Sequence, residues 1–475
     1  MIAEHGSVVT GGTRGLELLR ETAIYALFLS ASLLLYAPAL GLGFLSDDWY
    51  FLRRAALHGL PELFRLRLDP ADPQSYHYVP LGEALFWVEY RAFGLDARFW
   101  HAANLGLHAL NAFLVYRVGV QIGLPRVLAA GAGALFAVLF FNYESVLFVS
   151  GLYYLLASAF LLGGLLCFSA FLSHGGFLRY GGYLCAVAGS LLSIEGGMVA
   201  PPLAGLLELL AGERTGIPWG RRLATAFRHQ VPALVLLAAY VGLRSLAPRT
   251  SMNQVPLTKA LGTLVYSLLD AEKDHEGNQG RAAFVVGYLP HVFLSGFETR
   301  YFYIPGIGGG IFLASFVAGL AAGPAGRTAG PWALALLTAV AGGPYRAERI
   351  REWRTAADIT ASTLAEACPP LSRAWLSGNR VLVVDAPDSL GQLWGTSFPA
   401  YVFRNGLSEA LAFCGHRPED TLDLDFVETG TARSYTPKAS RRTTEEEITQ
   451  LAAGRTVLRY STSDPREVSF RPPLH

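Results

Sequence analysis

Apolar runs long enough to cross a bilayer recur from residue 22 to about residue 343 of this 475-residue chain, and no other feature constrains its fold as strongly. A membrane-spanning helix needs about 20 apolar residues to cover roughly 30 Å of hydrocarbon. About eleven such spans are predicted, beginning near residues 22, 101, 127, 151, 178, 197, 230, 256, 281, 302 and 329. The first, ETAIYALFLSASLLLYAPALGLGF, is long, lacks a small-residue cleavage pattern and is followed by further spans, which distinguishes it from a secretory signal peptide. Composition agrees: 52% hydrophobic against 16% charged residues, with a mean hydropathy of +0.33, leaves too little charge to solvate the surface of a soluble protein. A formal net charge of +1 supplies no basic field, so the lipid bilayer is an expected partner and nucleic acid is not. The expected fold is mainly α, a polytopic transmembrane domain over 1–343 with a first outer loop at about 43–100, followed by a small α/β domain over 344–475.

Arginine placement orients the chain. Arg214, Arg221, Arg222 and Arg228 cluster in GERTGIPWGRRLATAFRHQ, between the sixth and seventh spans, and positive charge concentrates on the cytoplasmic side. Counting from there puts the N-terminus inside. Asp47, Asp48, Glu144, Glu195 and the segment ETRYFYIPG (298–306) then share the outer face, and an odd number of spans carries the C-terminal domain out as well. The expected location is the plasma (inner) membrane, multi-pass.

Polar residues inside or beside hydrocarbon are costly and face a partner or a wet cavity. Asp47 and Asp48 follow the first span directly in FLSDDWYFLR (44–53), and DDWYFLRRAALHGLPELFRLR continues with apolar residues at helical spacing, as for an interfacial helix that forms an outer lid. Two adjacent carboxylates suit a general base, a divalent-cation site or a helix cap, since Ser and Asp are strong N-cap residues. His101, Asn104, His108 and Asn111 are spaced three, four and three, so they share one stripe of a helix. Interhelical hydrogen bonding accounts for the last three. His101, nearest the outer surface, is the site candidate. Glu144 and Glu195 lie at outer helix ends, where a solvated terminus is the plain alternative. Arg300 suits pairing with a phosphate, with Tyr301 and Tyr303 lining a polyprenyl or sugar site; an aromatic belt with a snorkelling Arg competes.

The acidic pair, a Pro-Leu-centred loop, FGLDARFWHAANLGLHALNAFLVY, ESVLFVSGLYYLL, SIEGGMVAPPLAGLLEL and RYFYIPGIG occur in an order that resembles the family C (GT-C) glycosyltransferases. The chain is most similar to the branch of transmembrane-and-TPR-type O-mannosyltransferases and their bacterial relatives, over about 22–322. The resemblance implies an inverting hexosyltransferase, mannosyl transfer among the options, that moves a sugar from a polyprenyl-phosphate donor to a hydroxyl of a protein or glycan acceptor at the extracytoplasmic face. It implies an acid of the first outer loop as base, favouring Asp47 over Asp48, with Arg300, Tyr301 and Tyr303 on the donor phosphate and lipid. His101, Glu144, Glu195 and His77 would face the acceptor or a metal, and Asp47 with Asp48 would hold Mn²⁺ or Mg²⁺. The chain departs from the family pattern at Val79 before Pro80, where Arg is usual, at Asn142 for His and at Ile194 for Lys. Each departure removes a cation or ligand, so an inactive homologue stands as an alternative; a transporter or flippase of a lipid-linked sugar, using the same polar cavity for passage, is another.

Beyond residue 344, YRAERIREWRTAADITASTLAEA is predicted as an amphipathic helix, NRVLVVDAP as a buried strand, YVFRNGLSEALAF as a turn into a helix, and TLDLDFVET and TVLRYST as strands. Asp385 and Asp388 follow a strand without a phosphate-binding Gly loop, GIGGG (306–310) falls within a span and suits helix packing, and no TPR period is visible. An accessory or acceptor-recognition domain is expected. Cys167 and Cys185 fall in spans as apolar packing residues, whereas Cys368 and Cys414 can pair if the domain is extracytoplasmic.

Overall fold

The computed structural model describes residues 11–66, 78–212, 217–246, 299–321, 323–376, 380–386, 400, 402–403, 406–415, 424–429, 441–460 and 468–471. Its helices are α1 (Gly11–Tyr36), α2 (Asp47–Leu57), α3 (Leu60–Leu63), α4 (Pro80–Phe93), α5 (Ala97–Gln121), α6 (Arg126–Val138), α7 (Tyr143–Leu147), α8 (Leu152–His174), α9 (Phe177–Leu191), α10 (Ala200–Gly212), α11 (Trp219–Ser245), α12 (Tyr303–Leu320), α13 (Pro324–Ala341) and α14 (Gly343–Leu376). Among the described residues, four helical stretches are long and apolar enough to cross a membrane: Gly15–Gly41, Val149–His174, Trp219–Ser245 and Tyr303–Leu320. The protein is a multi-pass membrane protein. The predicted spans near 256 and 281 lie outside the described residues. The Arg cluster is placed differently from expectation: α11 already starts at Trp219, so Arg221, Arg222 and Arg228 ride on its first turns rather than in a loop.

The predicted span near 127 is broken, and this break, like the break between the spans near 178 and 197, carries an acid. After α6 the chain turns extended at Leu139 (φ −55°, ψ 122°), and the continuation Phe140–Leu147 is bent by 52° from α6. A break strands the last helix carbonyls, which in an apolar surrounding must find donors. All three find side chains: Asn142 Nδ2 donates to Phe136 O (2.8 Å), His108 Nε2 to Ala137 O (3.1 Å) and Arg346 Nη1 to Val138 O (3.3 Å). The break places Glu144 in α7, and a 3-10 turn at Val149–Gly151 leads into α8. The second break separates α9 from α10 by a 3-10 turn, Glu195–Val199. There Leu192 O accepts from Leu81 N (3.0 Å), which ties the break to α4.

The His/Asn stripe on α5 is the glue between these pieces. Asn104 Nδ2 donates to Phe148 O and Asn111 Nδ2 to Leu155 O, both at 2.9 Å. Since His108 Nε2 donates to Ala137, its Nδ1 accepts from the Tyr303 hydroxyl at 2.7 Å, joining α5 to α12.

The C-terminal region builds a five-stranded sheet in the order β3-β2-β1-β4-β5 from β1 (Val381–Val384), β2 (Leu424–Glu428), β3 (Arg441–Arg442), β4 (Thr456–Tyr460) and β5 (Val468–Arg471). β1 pairs in parallel with β2 and β4, and all four of its residues are buried, as a continuous VLVV run in a doubly covered parallel sheet requires. The predicted strands and the helix after the turn, α15 (Leu407–Ala412), are all present; β3, β5 and α16 (Glu445–Leu451), whose start is marked by a Thr444/Glu447 capping box, add to them. One apolar core runs from Tyr36, Leu45 and Phe148 through Trp353 of α14 to Val381, Leu411 and Tyr460, so the sheet region and the loop-bearing end of the helices pack as one body.

A candidate active site at the broken helices

The acidic pair opens α2, and its two members sit in different surroundings. Asp48 is fully buried, and both carboxylate oxygens are engaged: Oδ2 accepts from Leu45 N (2.9 Å), while Oδ1 accepts from Ser150 N (2.8 Å) and from the Ser150 hydroxyl. It therefore ties the chain just before α2, and α2 with it, to the turn before α8. Asp47 is only partly buried. Burial pushes the Asp48 carboxyl from its usual 3.8 up to about 7, against the pull of the Ser150 and Leu45 hydrogen bonds and with the Asp47 charge pushing the same way. A raised folded value means that the folded state holds the proton more tightly, so stability is greatest near pH 4, falls as pH rises toward 7 and levels beyond. The slope should approach about 1.4 kcal/mol per pH unit, and Asp48→Asn should flatten it in chemical-denaturation curves taken across that range. A slope that survives the substitution would assign it to another group.

Glu144 and Arg300, predicted separately, are brought together. Arg300 N donates to Glu144 Oε2 (3.2 Å), and Nη1 stands 3.4 Å from Oε1. The guanidinium lies over the Phe148 ring, 5.6 Å from its centre. Phe148 O accepts from Gly151 N, so the Glu144–Arg300 pair and the Asp48–Ser150 anchor are ends of one short segment, 144–151. At the second break Glu195 Oε1 pairs with Arg244 Nη2 of α11 at 3.1 Å. Each acid at a helix break thus holds an arginine from a distant helix or turn, and neither is the simply solvated terminus that sequence offered as an alternative.

The other predicted residues divide. His101 is buried with its ring toward the carbonyls of Leu42 and Gly43, beside the start of the acidic loop. Tyr303 is fully buried and its hydroxyl is committed to His108 and Asn111 (2.7 and 3.3 Å), an interhelical bond in place of the ligand-lining role expected of it. Tyr301 lies in the 3-10 turn Thr299–Phe302, its side chain outside the described residues, as are His77 and Asp388. Asp385 is latched by Thr429, whose N and Oγ1 both donate to Oδ1, so it serves the sheet. Among the described residues no three His, Cys, Asp or Glu side chains are grouped as a metal cradle.

Several contributors escaped the sequence. Arg54 of α2 reaches Glu83 of α4 at 3.0 Å and stacks on Tyr50, fixing the outer loop to itself. Arg349 and Glu352 of α14 pair through two contacts (2.7 and 2.8 Å), with Arg349 over the Tyr345 ring, which in turn meets Tyr143 edge-on. Charged residues at i and i+3 on an amphipathic helix were the available signal, but that pattern also fits a solvated face.

No protein-family model matches the chain, and no curated protein matches it. Among solved structures it is similar to ArnT from Cupriavidus metallidurans bound to undecaprenyl phosphate, with 14% identity and a TM-score of 0.44 over 92% of this chain and 93% of that one. It is also similar to ArnT from Cupriavidus metallidurans in the apo state, with 13% identity and a TM-score of 0.46 over 93% of this chain and 94% of that one.

Proposed function

We propose that the protein is an integral-membrane glycosyltransferase of the GT-C type, which transfers a sugar from a polyprenyl-phosphate carrier to a hydroxyl acceptor at the extracytoplasmic face. The observation that carries this proposal is the pairing of a pinned acid, Asp48, with a partly buried neighbour, Asp47, on a segment directly joined to the Glu144–Arg300 pair. Asp47 takes the proton of the acceptor hydroxyl as its oxygen bonds to the anomeric carbon. The bond from that carbon to the carrier phosphate breaks, the electron pair leaves on the phosphate, and Arg300 stabilises the departing dianion. Glu144 orients the guanidinium, and Asp48 holds the loop that presents Asp47. Arg244 and Glu195 form a second charged pair for the acceptor side. A cavity of about 230 Å³ between α5, α8, α10 and α12, lined by Leu161, Leu165, Leu203, Leu207, Ile304 and Ile307, starts four residues past Arg300 and suits an isoprenoid chain.

The Arg cluster on the first turns of α11 supports a cytoplasmic N-terminus and an outer C-terminal region, residues 344–475, acting in acceptor recognition. The Cys368–Cys414 disulfide supports the same side, since disulfides persist in oxidising compartments. A reporter active only in the cytoplasm, fused after His475, should stay silent; signal from it would reverse the orientation. The function itself is tested by supplying the purified protein in liposomes with a panel of radiolabelled polyprenyl-phosphate sugars and hydroxyl acceptors. Label should pass from one donor class to the acceptor, and no transfer from any donor would reject the proposal.

A further inference from the structure

Ser46, the residue before the acidic pair, has φ 43° and ψ −117°, a backbone region that residues with a side chain rarely adopt. Such a conformation persists only where the surroundings impose it. On one side the imposing group is the Asp48–Ser150 anchor. On the other it is a piece of the C-terminal region some 350 residues away in sequence, following the numbering. Ser46 N donates to Val402 O at 3.0 Å. Gly406 lies so close that a Cβ there would stand 1.9 Å from Ser46 O, so backbone meets backbone with no room for a side chain. Phe413 packs on Trp49, ring centres 5.7 Å apart, and the next residue, Cys414, is bonded to Cys368 of α14.

We propose that Val402, Phe403, Gly406, α15 and the 3-10 turn Phe413–Gly415 after it form a strap, stapled by the Cys368–Cys414 disulfide, that imposes the Ser46 conformation and thereby sets Asp47. Val402 and Gly406 are positioning residues: they touch the loop backbone and act through it. The glycine at 406 is required by the close approach, the disulfide fixes the far end of the strap to α14, and α14 is itself fixed to the first helix break through Arg346. The acidic-loop half of the candidate site is therefore incomplete without the C-terminal region. The claim about Asp47 rests on the proposed function, whereas the claim about Ser46 does not.

The test reads the loop directly. Hydrogen exchange is followed on peptides covering residues 44–52 in the full-length protein in detergent, oxidised and after reduction, and in Gly406→Ala with the disulfide intact. Reduction and Gly406→Ala should each speed exchange at this loop about tenfold or more, with α8 and α12 unchanged. Unchanged loop exchange in both states would overturn the strap. A general rise across all helices in both would overturn it too, by making the region merely structural. In the transfer assay Gly406→Ala should lower kcat about tenfold with the donor KM within about twofold. If the unmodified protein transfers no sugar, the proposed chemistry fails while the exchange result still decides on the strap.

Discussion

Asp47→Asn should lower sugar transfer about 100-fold or more while the protein still inserts and folds. Asparagine keeps the size and hydrogen bonding of the side chain but cannot accept the acceptor's proton. Asp47 is partly buried and its replacement is nearly isosteric, so the variant should still fold. Asp48→Asn should behave in the opposite way. One of its two oxygens becomes an NH₂ group that faces an existing donor, Leu45 N or the Ser150 pair, at a cost of about 1–3 kcal/mol, and any loss of turnover should follow from displacement of Asp47. Paired measurements of melting temperature and kcat on the two variants separate the roles. Full transfer by the double variant Asp47→Asn, Asp48→Asn would remove the loop from the chemistry and make transport of a lipid-linked sugar the better account.

Arg300→Lys should slow transfer by about tenfold or more. Lysine keeps the positive charge but loses the planar fork that can hold Glu144 with one edge and a phosphate with the other. Its ammonium would also sit differently over Phe148, whose face the guanidinium now covers. Glu144→Gln, with Arg300 retained, should give a smaller loss seen mainly in the donor KM, because the arginine remains but is no longer aimed. Turnover of Arg300→Lys equal to the unmodified protein would return Arg300 to the role of an interfacial anchor.

The sequence pointed to Glu144, Arg300 and the acidic pair separately, on motif order and on their position at the ends of apolar runs. It did not show that Glu144 and Arg300 meet, because they are 156 residues apart and neither local spacing nor periodicity encodes the pairing. Tyr303 illustrates the converse. As part of an aromatic, Arg-bearing segment it looks like a ligand contact, yet its hydroxyl is the partner that His108 needs once the imidazole has donated to Ala137. The disulfide lay in the same position: two cysteines 46 residues apart in sequence are weak evidence until the fold brings α14 beside the strap.

The sequence by itself determined a helical membrane protein, and it located the C-terminal change to an α/β region, because hydrophobic run length and the VLVV strand pattern are local properties of the chain. Only the tertiary structure decided where the apolar runs break and which acid is pinned. A helix can end inside an apolar run only if its freed carbonyls find donors, and those of Phe136, Ala137 and Val138 come from Asn142, His108 and Arg346, residues spread over some 240 positions that a linear window never sees together. The same reason separates Asp47 from Asp48: adjacent and identical in sequence, they differ because the Ser150 amide and hydroxyl, 102 residues beyond Asp48, meet one and not the other.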